Sequence, residues 1–197
     1  MLTNRDFEIL DWIKEYKAIT IEQCQFLFFN GSYEAARRRL ALFEKEYNVK
    51  SYISRTTKQK VYYLDKKISE HDVYILDYLK ELKKAGCELL DIKIKPKYLK
   101  NLIIPDAFVK FKYNKYIFNT LLEVDYMHPT EELKLNTLYE KLAKETTDYK
   151  EFNNNSFILV IASEKAKLRY SSKNYDSIYT DLKYNKLIDL LGIPKLP

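Results

Sequence analysis

Residues 30–64 read Asn30-Gly-Ser-Tyr-Glu-Ala-Ala-Arg-Arg-Arg-Leu40, Ala41-Leu-Phe-Glu-Lys-Glu-Tyr-Asn-Val-Lys50, Ser51-Tyr-Ile-Ser-Arg-Thr-Thr-Lys-Gln-Lys60 and Val61-Tyr-Tyr-Leu64. The stretch changes period partway along. Asn30-Gly31-Ser32 forms a turn with a capping residue, and Ala36, Leu40 and Phe43 then recur at i, i+4 and i+7, on one face of a helix. After Asn48 the pattern becomes that of strands. Segments 49–54 and 60–64 are rich in β-branched and aromatic residues, and the polar tip Arg55-Thr-Thr-Lys-Gln59 joins them as a hairpin.

Two shorter helices are expected upstream. Thr3 caps the first, with Asp6 at the capping-box position and Phe7, Leu10 and Ile13 at helical spacing. Thr20 caps the second, with Gln23 at the matching position and Phe26 and Leu27 on its buried side. Three helices followed by a basic hairpin is the order of a winged helix-turn-helix, here over residues 1–66. In that architecture the third helix enters the major groove and the hairpin lies over the backbone.

Charge follows the same division. Residues 1–36 carry three basic and six acidic side chains, a net of −3, whereas residues 37–60 carry eight basic and two acidic, a net of +6. The net charge of the whole chain is also +6, but phosphate binding responds to local clusters rather than to totals. Three consecutive residues span about 200° of a helix, so Arg37, Arg38 and Arg39 do not all face one groove. Arg38, opposite the Ala36/Leu40/Phe43 face, is expected to read a base edge. Arg37 and Arg39 are expected on phosphates, with Arg55, Lys58 and Lys60 of the hairpin, and Tyr33 and Glu34 lie at the helix start where base contacts fall. The bland alternative is a solvated helix face.

Beyond the hairpin, helical spacing returns over 69–85 (Val73, Leu76, Leu79, Leu82). Strand segments follow at 89–94, 103–111 and 116–125. A helix is expected from Pro129, in its first turn, to about residue 147. Asn153-Asn154-Asn155 is a turn, 157–162 a buried strand, and 174–191 a last helix. This α-β-β-β-α-β-α order over 69–197 predicts a small α/β domain with a mixed sheet, making the chain α/β (α+β) overall. No apolar run approaches the roughly 18 residues of a membrane span, and no signal peptide is read at the N-terminus, so the expectation is a cytoplasmic protein without membrane contact. Cys24 and Cys87 match no zinc spacing and no disulfide framework.

One constellation in the second domain bears on chemistry. Ile104-Pro-Asp106-Ala107 opens one strand and Leu122-Glu123-Val-Asp125 closes another, with Glu123 and Asp125 on a shared face. If Asp106 meets them, three carboxylates form a site for Mg²⁺, which prefers oxygen ligands and can activate water against a phosphodiester. The alternative is acids solvated at strand ends, with Asp106 capping a turn. This layout resembles the PD-(D/E)xK nuclease fold, except that Asp125 stands where the motif has Lys; Lys134 or Lys141 on the following helix would have to supply the cation. His71 and His128, the two histidines, form no paired-His nickase site, eighteen tyrosines single out no nucleophile, and no Gly-rich phosphate loop is present.

Several segments occur in one order: Leu2-Thr-Asn-Arg-Asp-Phe-Glu-Ile-Leu10, Ile19-Thr-Ile-Glu-Gln23, Ala35-Ala-Arg-Arg-Arg-Leu40, Val61-Tyr-Tyr-Leu64, His71, Pro105-Asp-Ala107 and Leu122-Glu-Val-Asp125. To about residue 162 the chain resembles the replication-relaxation family of plasmid- and phage-borne proteins. That resemblance implies a role in the replication, mobilisation or transcriptional control of a mobile element. Some relatives are linked to relaxases with a nuclease-like domain, while others look like regulators. The expected function is therefore double-stranded DNA binding that requires no cofactor, with the second domain serving a homodimer or replication and mobilisation proteins. The alternatives are a Mg²⁺-dependent DNA nickase or endonuclease, and a protein-binding adaptor whose wing contacts a replication partner.

Overall fold

A computed structural model describes residues 2–164, 167, 170–185 and 187–192, the backbone alone being described at residue 190. The chain divides into two compact units, Met1–Lys84 and Ala85–Pro197, each with its own strands and helices, in a mixed α+β protein.

The first unit runs α1 (Asn4–Tyr16), β1 (Ala18–Thr20), α2 (Ile21–Phe28), α3 (Tyr33–Glu46), β2 (Lys50–Ile53), β3 (Lys60–Tyr63) and α4 (Glu70–Lys84). The α1 start is set by Asp6, whose Oδ2 accepts from the Thr3 N–H at 2.7 Å and from Thr3 Oγ1 at 2.8 Å. At the start of α2, the Thr20 N–H donates to Gln23 Oε1 at 2.9 Å and the Gln23 N–H donates to Thr20 Oγ1 at 3.2 Å, so two donors at the helix end are satisfied reciprocally. Gly31 (φ +89°) follows Asn30 (φ +47°) in the α2–α3 turn, a left-handed pair that a β-branched residue would strain. Ile9, Ile13, Ile19, Cys24, Ala36, Leu40, Phe43, Val49 and Tyr62 form the core. The expected face of α1 holds at buried Ile13 and half-buried Leu10, but Phe7 is exposed and Ile9 points inward; in α2, Phe26 and Leu27 are only half-buried and Cys24 is buried.

Two differences from the sequence expectation matter here. The hairpin is completed by a strand not anticipated: β3 pairs antiparallel with both β1 and β2, giving the order β1-β3-β2. The boundary also falls after α4, near residue 84, rather than between 66 and 69. The polar contacts of α4 explain this, since Gln23 Nε2 donates to buried Asp77 Oδ1 at 3.0 Å and Lys80 Nζ lies 3.3 Å from Glu22 Oε2.

The second unit contains β4 (Glu88–Ile94), β5 (Ala107–Tyr113), β6 (Tyr116–Asp125), α5 (Glu140–Lys144), β7 (Ile158–Ser163), β8 (Asp176–Thr180) and α6 (Leu187–Leu190). Strands β4, β5 and β6 form an antiparallel meander, and β7 and β8 extend the sheet in parallel, in the order β4-β5-β6-β7-β8. The parallel β6–β7 pair requires a crossover, which the helical segment 132–144 supplies. Its Leu135, Tyr139 and Leu142 pack with Phe108, Leu121, Leu159 and Ile161 of the sheet. The segment begins after Pro129, not around it, and its residues Lys134–Tyr139 are π-helical. The expected last helix over 174–191 is replaced by β8 and the short α6, because the alternately buried Ile178 and Thr180 join the edge of β7. Among the described residues, no helix is long and apolar enough to cross a membrane.

Candidate nucleic-acid interface and carboxylate site

The outward side of α3 follows from its inward side. With Ala36, Leu40 and Phe43 fully buried, the arc of about 140° that runs from Tyr33, at the edge of that face, to Arg38, opposite it, carries exposed Tyr33, Arg37, Ala41, Glu34, Lys45 and Arg38 and half-buried Glu44. Glu34 organises the arginines. Arg37 donates to it in a two-pronged fork, Nε to Oε2 at 2.8 Å and Nη2 to Oε1 at 2.6 Å. Arg38 is held more loosely, with Nε 3.4 Å from the Glu34 carbonyl and 3.7 Å from Oε1. The hydrogen bond from Arg37 holds the Glu34 carboxyl below its ordinary range.

Arg39 and Lys60, both anticipated as phosphate contacts, engage acids of the same unit. Arg39 Nε lies 3.2 Å from Oδ1 of buried Asp6 and ties α3 to the start of α1. Lys60 Nζ donates to Glu44 Oε2 at 2.7 Å and sits over the Tyr62 ring. Glu44 also accepts from Ser51 Oγ at 2.5 Å, so one carboxylate on α3 grips both strands of the hairpin. At the hairpin tip Arg55 and Lys58 are exposed, and among the described residues no ion pair engages either side chain.

In the second unit Asp106 immediately precedes β5. The pairing of Ala107 with Leu122 continues to place Asp106 beside Glu123, and the Asp106 N–H donates to the Leu122 carbonyl at 2.8 Å. Its Oδ2 accepts the Val124 N–H at 2.7 Å. Glu123, buried at 7 % exposure, accepts from Lys134 Nζ at 2.5 Å and from the Tyr139 hydroxyl. Burial raises the Glu123 carboxyl above its ordinary value against the pull of Lys134 and Tyr139, and burial likewise raises the Tyr139 hydroxyl. Lys134 and Tyr139 are the first and last residues of the π-helical turn. Five residues apart, they would point about 140° away from each other on an α-helix; i→i+5 bonding brings them to one side.

Asp125 takes a different partner. Its Oδ1 accepts from the Thr130 N–H at 2.8 Å and from Thr130 Oγ1 at 2.6 Å, fixing the turn after β6. Lys141 lies 3.8 Å from Glu145 in an exposed pair on α5 rather than at the carboxylates. Each of the three acids thus already accepts protein donors, and among the described residues no group of three or more His, Cys, Asp or Glu lies close enough to hold an ion. Tyr139 was not anticipated from the sequence, which offers it only as one of eighteen tyrosines.

Comparison of the chain with protein-family models, with curated proteins and with solved structures finds no match.

Proposed function

We propose that the chain binds double-stranded DNA through a winged helix-turn-helix formed by its first unit, in the replication, mobilisation or transcriptional control of a plasmid or phage. The observation that carries this reading is the single outward arc of α3, with Tyr33, Arg37, Arg38 and Lys45, followed in sequence by a hairpin whose tip exposes Arg55 and Lys58. The three helices α1, α2 and α3 followed by the β2–β3 hairpin, which β1 joins at its β3 edge, support this reading. The second unit then acts as a nuclease-like α/β module that contacts a second copy or a replication or mobilisation protein.

The test is a titration of duplex binding against salt. Each phosphate contact contributes about 0.9 to the slope of log affinity against log salt. Replacing Arg55 and Lys58 together by Ala is expected to weaken all duplexes alike and to lower the slope by roughly one to two. An unchanged slope removes the hairpin from the backbone, and wild-type protein without salt-dependent duplex binding favours the adaptor reading.

One observation favours a second reading, a metal-dependent nickase: Lys134 brings to Glu123, with Asp106 alongside, the cation that position 125 lacks. Against it stands that each of the three carboxylates already accepts at least one protein donor. We therefore expect supercoiled DNA to stay intact with Mg²⁺ or Mn²⁺. Nicking by the wild type that disappears in Asp106→Asn would promote the nickase reading.

A further inference from the structure

Glu70 is an acid in a place where a DNA-binding surface should disfavour one. It is the first residue of α4, yet its carboxylate reaches back to the hairpin tip. Oε1 accepts the Arg55 N–H at 2.9 Å. Oε2 accepts from Thr56 Oγ1 at 2.6 Å and from the hydroxyl of buried Ser54. Ser54 Oγ in turn accepts from the Thr57 N–H at 3.0 Å and from Thr57 Oγ1 at 2.8 Å, and the Ser54 N–H donates to the Gln59 carbonyl at 2.9 Å. Nearby, the Tyr52 hydroxyl donates to the Ile68 carbonyl at 3.0 Å, holding the chain that leads into α4 against the hairpin.

A five-residue polar tip left to itself samples many conformations, at about 1–2 kcal/mol of backbone entropy per residue fixed. Here its donors converge on one carboxylate. The Arg55 backbone is used in the knot and its guanidinium is not, while Lys58, held at φ +58°, turns the chain back into β3. An anion beside a phosphate-facing tip repels DNA, so its presence requires an offsetting role.

We propose that Glu70 is the positioning residue of the hairpin: it fixes residues 54–57 so that Arg55 and Lys58 meet the duplex backbone already ordered. The proposal rests on the DNA-binding reading above and adds to it how that contact is pre-organised. It makes opposite predictions from simple electrostatics. Loss of the anion alone raises affinity, whereas loss of the clamp lowers it, because the tip must then be ordered during binding.

The experiment compares the full-length wild type, Glu70→Ala and Glu70→Gln by duplex affinity, by salt slope and by hydrogen exchange of the Arg55 amide without DNA. Glu70→Ala is expected to bind about 5- to 30-fold more weakly, equivalent to the ordering of one residue. Its salt slope should match the wild type, since the same phosphates are contacted, and its Arg55 amide should exchange faster. Glu70→Gln keeps an acceptor for the Arg55 N–H and is expected to bind as well as the wild type or better. Thr56→Val, which removes one donor and no charge, should shift both readouts in the Glu70→Ala direction and covers the case in which that variant does not fold. Equal or tighter binding by Glu70→Ala, or unchanged Arg55 exchange, overturns the proposal. If the wild type binds no duplex, the DNA reading falls with the positioning role, while the exchange measurement still reports whether the clamp exists.

Discussion

Glu123→Ala is expected to destabilise the second unit by about 3–5 kcal/mol, the usual cost of removing one member of a buried ion pair. The substitution does more than delete a hydrogen bond. Lys134, three-quarters buried, loses its counter-ion, and Tyr139, at 0 % exposure, loses the acceptor of its hydroxyl. Both groups sit on a helix that supplies three side chains to the core, so the damage spreads to the packing of Leu135 and Leu142 on the sheet. Equilibrium unfolding in denaturant, followed by a probe in the second unit, measures the loss.

The double variant Glu123→Leu/Lys134→Met is expected to recover only part of it, because an apolar pair avoids the desolvation that the charges incur while the buried Tyr139 hydroxyl still lacks its acceptor. A Glu123→Ala protein within about 1 kcal/mol of wild type would mean that the carboxylate is solvated after all, within the range of surface pairs. The outcome also bears on function. A carboxylate held by a lysine and a buried hydroxyl is available to a cation only after those donors move, and a large stability loss would assign Glu123 to holding the crossover helix on the sheet.

The relation between sequence and structure differs from element to element. Capping boxes at Thr3 and Thr20 depend on residues three apart, so they are legible locally, and the hydrogen bonds follow the expected pattern. Strand β1 is three residues long, too short to display a period, and its last residue doubles as the cap of α2. The spacing of Val73, Leu76, Leu79 and Leu82 announces a buried helix without naming the partner; the Gln23–Asp77 hydrogen bond that helps to tie α4 to α2 spans 54 residues. Partner choice also decided the cations. Helical geometry placed Arg38 outward, but Arg39 meets Asp6 across 33 positions, which no periodicity reveals. At the carboxylates, strand alternation put Glu123 and Asp125 on one face, and their separation into different networks depends on Thr130 and on a π-helical turn. An α-helical reading of 134–139 turns Lys134 and Tyr139 away from each other and hides their common target.

Arg38→Ala is expected to weaken binding to a specific duplex by about 1–3 kcal/mol, roughly 5- to 150-fold, and to relax the preference at one base position. The choice of Arg38 over its neighbours follows from how each guanidinium is held. Arg39 is engaged by a buried carboxylate and Arg37 by a short two-pronged fork. Arg38 has only long contacts with Glu34, and its side chain is 72 % exposed. An exposed ion pair is worth about 0–1 kcal/mol, less than the 1–3 kcal/mol of an arginine paired bidentately with guanine, so exchanging Glu34 for a base edge is favourable. Arg37 must first leave a tighter fork, which suits a phosphate contact that adds affinity without sequence information. Selection of a preferred site from random duplexes, followed by affinities for all its single-base variants, separates the two roles. Arg38→Ala should flatten the profile at one position, and Arg37→Ala should lower every affinity by a similar factor. A profile unchanged in Arg38→Ala, at unchanged affinity, would take Arg38 out of the groove and leave Tyr33 and Lys45 as the remaining readers on that arc.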